Sequence, residues 1–314
     1  MNTGAKSLTL HLGLIGVLLA LCFLLPAYHQ GNLARIMVLA SYAIGYNVLF
    51  GYTGLLSLGH AMFFAAGMYG LGLSMQFGQV PAGWAFLIGI AAAGALAAVV
   101  ALLALRTIGV AFMIVTLMFA QAGFLTILYF GEWTRGDEGF VLPQAARQIA
   151  GIDLSDPVNR YLAALGLFSV ALLATARMMH VAFGSVLIAV RENEERTRML
   201  GYDVLAHKFA AVVISGAISG AAGAAYGLLF GYVGATFASV QYSIFPLLWV
   251  LLGGAGTTIG PFVGALFMFY LIDYSSGLTS AYMLIAGVVL VLLTLFARAG
   301  IVGEIRRRWA PWLP

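Results

Sequence analysis

The chain has 314 residues, of which 62% are hydrophobic and 8% charged, against roughly 25% charged in a soluble globular domain. Such a composition cannot cover a water-facing surface, and it excludes a soluble enzyme. The formal charge of +4 comes from basic residues scattered beside apolar segments, not gathered in one patch, so a nucleic-acid partner is excluded as well. The single cysteine, Cys22, lies in the first apolar run, which leaves no disulfide framework and no zinc spacing.

Taken in chain order, apolar segments fall at 8–27, 33–51, 55–77, 83–105, 108–130, 161–179, 209–232, 236–252, 258–274 and 279–297. Each is about the length that crosses a hydrocarbon core of about 30 Å. The first segment follows Lys6 and is not succeeded by a small-residue cleavage site, so it reads as an uncleaved span. The expectation is an all-α integral membrane protein, a polytopic bundle of about ten transmembrane segments forming a single transmembrane domain over 1–314. An even number puts both termini on one side. On that side fall Lys6, Arg106, Arg177, Arg191, Arg196, Arg198, Lys208, Arg298, Arg306, Arg307 and Arg308; Arg35, Arg135, Arg147 and Arg160 fall on the other. Eleven against four places both termini in the cytoplasm by the positive-inside rule.

Two polar stretches interrupt the apolar pattern. Residues 131–160 carry Glu132, Asp137, Glu138, Asp153 and Asp156 among Gly and Pro, and read as an irregular external loop. Residues 180–208 read as a cytoplasmic amphipathic helix, in which Glu192 with Arg196 and Glu194 with Arg198 are spaced i, i+4 in the favourable acid-first order. Glycines at four-residue spacing, Gly216, Gly220, Gly223, Gly227 and later Gly256, Gly260 and Gly264, predict closely approaching helices inside the bundle. The stretch from Gly253 to Gly260 lacks the lysine of a phosphate loop, and Pro261 after it favours a helix break.

No catalytic motif stands out. The chain has no HExxH, no GxSxG and no carboxylate pair within an apolar run, so no catalytic or metal-binding residue is expected and an intramembrane enzyme finds no support. The deepest ionisable candidates are His60 and Asp273, both near segment ends. With no evident ion-coupling group at mid-membrane, a transporter of this kind is either a passive pore or is driven by a partner. Thr53, Ser57 and His60, set among glycines, are the candidates for lining a translocation path.

The stretch GYTGLLSLGHAMFFAAGMY at 51–69 resembles the signature segment of branched-chain amino-acid ABC transporter permeases of the LivM type. Further matches follow in order: TRGDEGF at 134–140, the segment from Gly184 to Lys208, and LGGAGTTIGP at 252–261. The resemblance implies an ABC importer permease architecture and a list of partners: a second, LivH-like permease, two cytoplasmic ATPase subunits that carry the ATP and Mg²⁺, and a periplasmic binding protein. It implies a bacterial inner-membrane location and no cofactor on this chain. It also assigns Arg191, Glu192, Glu194, Glu195 and Gly201 to ATPase coupling, and suggests 131–160 as part of the docking surface for the binding protein. Alternatives left open are the same machinery serving urea, amides or aromatic acids, and a stand-alone channel or secondary carrier.

Overall fold

The structure, a computed structural model, describes residues 3–149, 151–279, 281–297 and 299–309. Arg298, counted above with the basic residues of the terminal side, lies outside them. In chain order the elements are α1 (Thr3–Leu24), α2 (Ala27–Asn47), α3 (His60–Gln76), α4 (Ala82–Ala104), α5 (Val110–Tyr129), the single turn α6 (Gly131–Thr134) and the short strands β1 (Phe140–Val141), β2 (Gln148–Ile149) and β3 (Ile152–Asp153). These are followed by α7 (Pro157–His180), α8 (Ala182–Glu192), α9 (Glu194–Met199), α10 (Val204–Phe230), β4 (Tyr232–Val233), α11 (Val240–Gly253), α12 (Gly260–Ser276), α13 (Tyr282–Phe296) and α14 (Gly300–Arg308).

A helix lies in each of the ten predicted segments, but among the described residues only six are long and apolar enough to cross a membrane: α1, α2 with its π-helical continuation to Tyr52, α4, α5, α7 and α10. The other four have 17, 14, 17 and 15 residues for α3, α11, α12 and α13. Seventeen residues rise only about 25 Å. The shortening has a local cause. The chain leaves helical geometry at Thr53 and regains it at His60, and α11 stops where Gly254 takes φ +122°, which a side chain would resist.

The elements sort to two ends. One end gathers residues 47–59, 105–109, 180–204, 254–259 and 299–308, together with the start of α1, whose His11 meets Thr258. The opposite end gathers 76–81, 130–156 and 231–239. Here the predicted irregular loop is more ordered than expected. β1 pairs antiparallel with β4, Phe140 opposite Val233, while β2 pairs with β3. Asp156 caps α7 by accepting from the backbone N–H groups of Val158 and Asn159, with Pro157 at the first helical position.

The core forms where α10 passes between α3 and α4. A Cβ added at Gly216 would lie 2.4 Å from that of Ala97, and one at Gly220 would lie 2.0 Å from that of Ala93. At Gly223 it would come within 1.9 Å of the Phe64 carbonyl oxygen, and at Gly67 within 2.0 Å of that of Gly220. Backbones therefore touch where side chains are missing, which compensates for the absence of a hydrophobic drive between helices in lipid. Gly227 is looser, its nearest neighbour being Met68 Cγ at 3.3 Å. Beside this contact, the rings of Tyr42, Phe64 and Tyr242 pack with centroids 4.8 to 6.0 Å apart.

One side chain ties the 254–259 break to the helix that leads into the 53–59 break. The Asn47 carboxamide donates through Nδ2 to the Thr257 carbonyl (2.9 Å) and accepts through Oδ1 from the Gly256 N–H (3.0 Å), all buried. Thr257 Oγ1 donates to the Gly254 carbonyl (2.7 Å) and accepts from the Gly260 N–H (3.2 Å). Irregular backbone at this depth is tolerated because its polar groups are matched inside the protein.

Two measurements check this packing. Gly223→Leu is expected to lower stability by at least about 1–3 kcal/mol through overpacking, whereas Gly13→Leu, whose Cβ would meet nothing within 4 Å, leaves the thermal midpoint in detergent unchanged. Equal midpoints for both variants would contradict the close approach. Asn47→Ala strands a buried N–H and a buried carbonyl at about 1–3 kcal/mol each; a hydrogen-exchange measurement should find protection lost at Gly256 while α4 is unaffected.

Candidate functional site

Residues 180–208 were expected to form one amphipathic helix, and they form two. Asn193 is extended, at φ −158° and ψ 103°, and its side chain accepts from the Arg196 N–H (2.9 Å), so it ends α8 and caps α9. This break removes the Glu192 to Arg196 pair. The Glu194 to Arg198 pair forms at 3.0 Å, and Glu194 also accepts from Lys208 Nζ on α10 at 2.5 Å. Glu194 thus fastens α9 to the start of α10.

α8 dips into the bundle. Leu187 is fully buried in a cluster with Leu49, Phe63, Phe112 and Val212, and Val186 and Val190 pack with Val204. From the end of α8, Arg191 lays its side chain across Gly54 and donates through Nη1 to the Gly51 carbonyl. Gly51 in turn lies against Gly256, whose φ of +74° leaves no room for a side chain beside Arg191. Arg306 of α14 donates to the Gly256 carbonyl at 3.4 Å. A cavity of about 350 Å³ opens beside this junction, lined by Tyr52, Met179, His180, Ile188, Arg191 and Arg306 among others. In α14, hydrogen bonds from Arg307 and then Arg308 hold the Glu304 carboxyl below the usual carboxylate range.

The remaining coupling candidates face outward. Glu192 and Glu195 are exposed and make no ion pair among the described residues. Gly201 ends α9 with φ +89° and open space around it. The turn it permits exposes Met199 (84%) and Leu200 (70%), flanked by Tyr202 and Leu205. From the sequence, Met199 and Leu200 read with Leu187, Ile188 and Val190 as apolar contacts around the charged stretch, because apolar residues at helical spacing resemble a buried face; at the tip they stand open instead.

Thr53, Ser57 and His60 all lie in or at the end of the 53–59 break, and all are buried. Thr53 Oγ1 donates to the Val48 carbonyl (2.9 Å), and Ser57 Oγ accepts from the Gly59 N–H (3.2 Å). The Ser215 hydroxyl donates to the Gly45 carbonyl (2.6 Å), so it accepts from His60 Nε2–H (2.7 Å). His60 Nδ1 is then the bare nitrogen, buried without a partner among the described residues between the rings of Tyr46 and Phe63. The Ala61 N–H at the start of α3 is met by Ser243 Oγ of α11 (2.9 Å). The hydrogen bonds from His60 and Ala61 thus join α3 to α10 and α11.

Asn47 and Ser243 were missed from the sequence. Each shares its apolar run with other polar residues, Asn47 with Arg35 and Ser41, and Ser243 with Thr236, Ser239 and Gln241, so no isolated signal marked either one. Among the described residues no group of three or more His, Cys, Asp or Glu could hold a metal ion.

Comparison with known proteins identifies the company this chain keeps. The family model described as "Branched-chain amino acid transport system / permease component" matches residues 30–297. The chain is 28% identical over 293 residues to the high-affinity branched-chain amino acid transport system permease protein LivM of Escherichia coli (strain K12), covering 84% of this chain and 68% of that protein. The Salmonella typhimurium (strain LT2) LivM is 27% identical over the same length, with the same coverage. A probable LivM of Methanocaldococcus jannaschii is 31% identical over 144 residues, 41% of each chain. No solved structure matches. A nearly all-helical chain with several membrane-length apolar helices, matched by this family over most of its length, is a multi-pass membrane protein and belongs to the LivM-type branched-chain amino acid transport permeases.

Proposed function

We propose that the chain is the membrane-spanning permease subunit of an ATP-driven ABC importer for branched-chain or related amino acids, forming one permease domain in the bacterial inner membrane with both termini in the cytoplasm. Hydrolysis takes place on two partner ATPases that hold ATP and Mg²⁺, while this chain performs no covalent chemistry. A LivH-like permease completes the path, and a periplasmic binding protein delivers the solute to the end carrying 131–156. The basic residues Arg106, Arg177, Arg191, Arg196, Arg198, Lys208 and Arg306 to Arg308 lie at the other end, which agrees with a cytoplasmic face.

The observation that carries the reading is the Arg191 to Gly51 hydrogen bond. It joins the α8–α9 pair, whose tip is exposed, to a residue that precedes the first break and lies against Gly256 in the second. In this mechanism an ATPase grips the apolar tip at Met199 and Leu200, with Glu192 and Glu195 as peripheral charges and Gly201 permitting the turn. Glu194, tied to Lys208, makes the projection move as one body with α10. Arg191 transmits that motion to Gly51, and through Asn47 to Gly256. The 53–59 segment, including Thr53, Ser57 and His60, then changes its packing beside the translocation path. Such a rigid-body switch needs a two-state element biased by both sites; the doubly broken region, with less regular hydrogen bonding than the helices around it, is that element.

Arg191→Ala is expected to leave insertion and subunit assembly intact while reducing ATP-driven uptake of leucine by about tenfold or more, the loss of one charge-assisted hydrogen bond being about 1.5–3 kcal/mol. Glu195→Ala, touching only the rim, should change uptake by less than about threefold. Normal uptake by Arg191→Ala in the assembled system would remove the role given to the link.

A further inference from the structure

Arg35 is out of keeping with the helix that carries it. From Leu33 to Leu49 every residue is buried except Arg35. It sits eight positions in from the start of α2, about 12 Å along the axis, where a guanidinium facing lipid is costly and usually marks a water-filled path. Its guanidinium lies over the Phe230 ring at 5.2 Å, and that of Arg160 lies over the same ring at 5.8 Å. Arg147 approaches from the loop, donating through Nη1 to the Leu229 carbonyl at 3.5 Å. Two guanidiniums from different helices thus share one ring and a third lies on the neighbouring Leu229 carbonyl, with Arg160 in the electrostatic field of both others. Asp153 and Asp156 contribute to that field, yet none of the three arginines makes an ion pair within 4 Å among the described residues. The Nε groups of Arg147 and Arg160 are buried without partners among the described residues, as is Asn32 Nδ2, one turn before Arg35, while Arg160 Nη2 donates to the Ser155 carbonyl at 2.7 Å. Unmatched guanidinium donors have the geometry and charge to hold a carboxylate.

Beside Arg35 runs a groove of about 360 Å³ between α2, α11 and α12, walled by Leu39, Tyr242, Phe245, Trp249 and Phe269, with Asp273 at its rim. Leu39 is one turn along α2 from Arg35, and Tyr242 feels the Arg35 charge. Tyr28, two turns before Arg35 on the same stripe of α2, donates its hydroxyl to both Asp273 carboxylate oxygens at 3.1 and 3.0 Å. That partner is neutral, so the Asp273 charge is not balanced by a cation among the described residues. The groove therefore combines an aromatic wall with an acid at its rim, and Arg35 stands one turn along α2 from its wall, at the small end of the volume range for ligand sites.

We infer that this groove receives an amino acid as a zwitterion, its carboxylate on the Arg35 cluster, its ammonium on Asp273 and its apolar side chain on the aromatic wall. The inference rests on the amino-acid importer reading and deepens it by giving this subunit a solute site of its own. Asp273 and Arg35 then set a requirement for both charges, and the aromatic wall sets the preference for an apolar side chain.

The test uses the complete transporter with its partners. Arg35→Gln should raise the KM for leucine about tenfold or more with a smaller change in kcat, and Arg35→Lys should recover part of the loss. Asp273→Asn should do the same, and 3-methylbutylamine, which lacks the carboxylate, should not compete with leucine. A second measurement does not depend on transport by the variant. Cys22 is buried, so Ser276→Cys at the groove rim supplies a thiol for a membrane-impermeant reagent. Leucine should slow its labelling, and adding Arg35→Gln should abolish that protection. Leucine uptake by the wild-type complex with an unchanged KM in Arg35→Gln, or labelling of Ser276→Cys that leucine leaves unaltered, overturns this inference and leaves the importer standing. No leucine uptake by the wild-type complex overturns both.

Discussion

The Asn47 carboxamide, bridging the Thr257 carbonyl and the Gly256 N–H, is the contact on which the arrangement depends. A bundle in lipid cannot leave peptide groups unmatched, yet this one interrupts its helices twice, at 53–59 and 254–259. Asn47 satisfies the second interruption from the helix that leads into the first. Thr257 and Ser57 match further backbone groups close in sequence, while Ser243 reaches across from α11 to the Ala61 N–H at the start of α3. The breaks are thereby held at a fixed distance from each other, and a displacement of one is a displacement of both.

Around that junction the rest of the molecule supplies stiffness. α10 lies against α3 and α4 at backbone contact through Gly216, Gly220 and Gly223, and contacts of that kind leave no compliant side chain to absorb motion. Stiff helices next to matched but irregular backbone form a lever with a joint. Arg191 enters at the joint, not along the lever, which is why a single hydrogen bond to Gly51 can matter out of proportion to its energy.

The helical, many-spanning character of the chain was legible in its composition, because apolar runs of membrane length have few other uses. The glycine spacing foretold the contacts of α10, and Pro261 foretold the restart of α12. Span lengths were less legible: α3 and α11 are shortened by backbone turns at residues that are themselves apolar or small, and these leave a hydropathy profile unchanged. The split at Asn193 was hidden because acid-first spacing favours a continuous helix, while a single asparagine can cap a new one. Arg35 was sorted by sign to the end opposite the termini, although it falls inside the apolar segment 33–51. Its exposure on an otherwise buried helix required the packing of α10, α11 and α12 to be known. The placement of Thr53, Ser57 and His60 in one break followed from their closeness in sequence, and Thr53 and Ser57 find partners close by at Val48 and Gly59; the partner of His60, Ser215, lies far off on α10.

The tip at Met199 and Leu200 has a meaning before any transport occurs. Two large apolar side chains held in the open by a positive-φ glycine cost solubility for as long as nothing covers them. A subunit synthesised in excess of the protein that covers the tip would display it continuously, and a tip displayed in this way is the kind of surface that chaperones and membrane proteases recognise. The same few residues would then report whether assembly is complete, and the abundance of the subunit would follow that of its partner without any separate regulator.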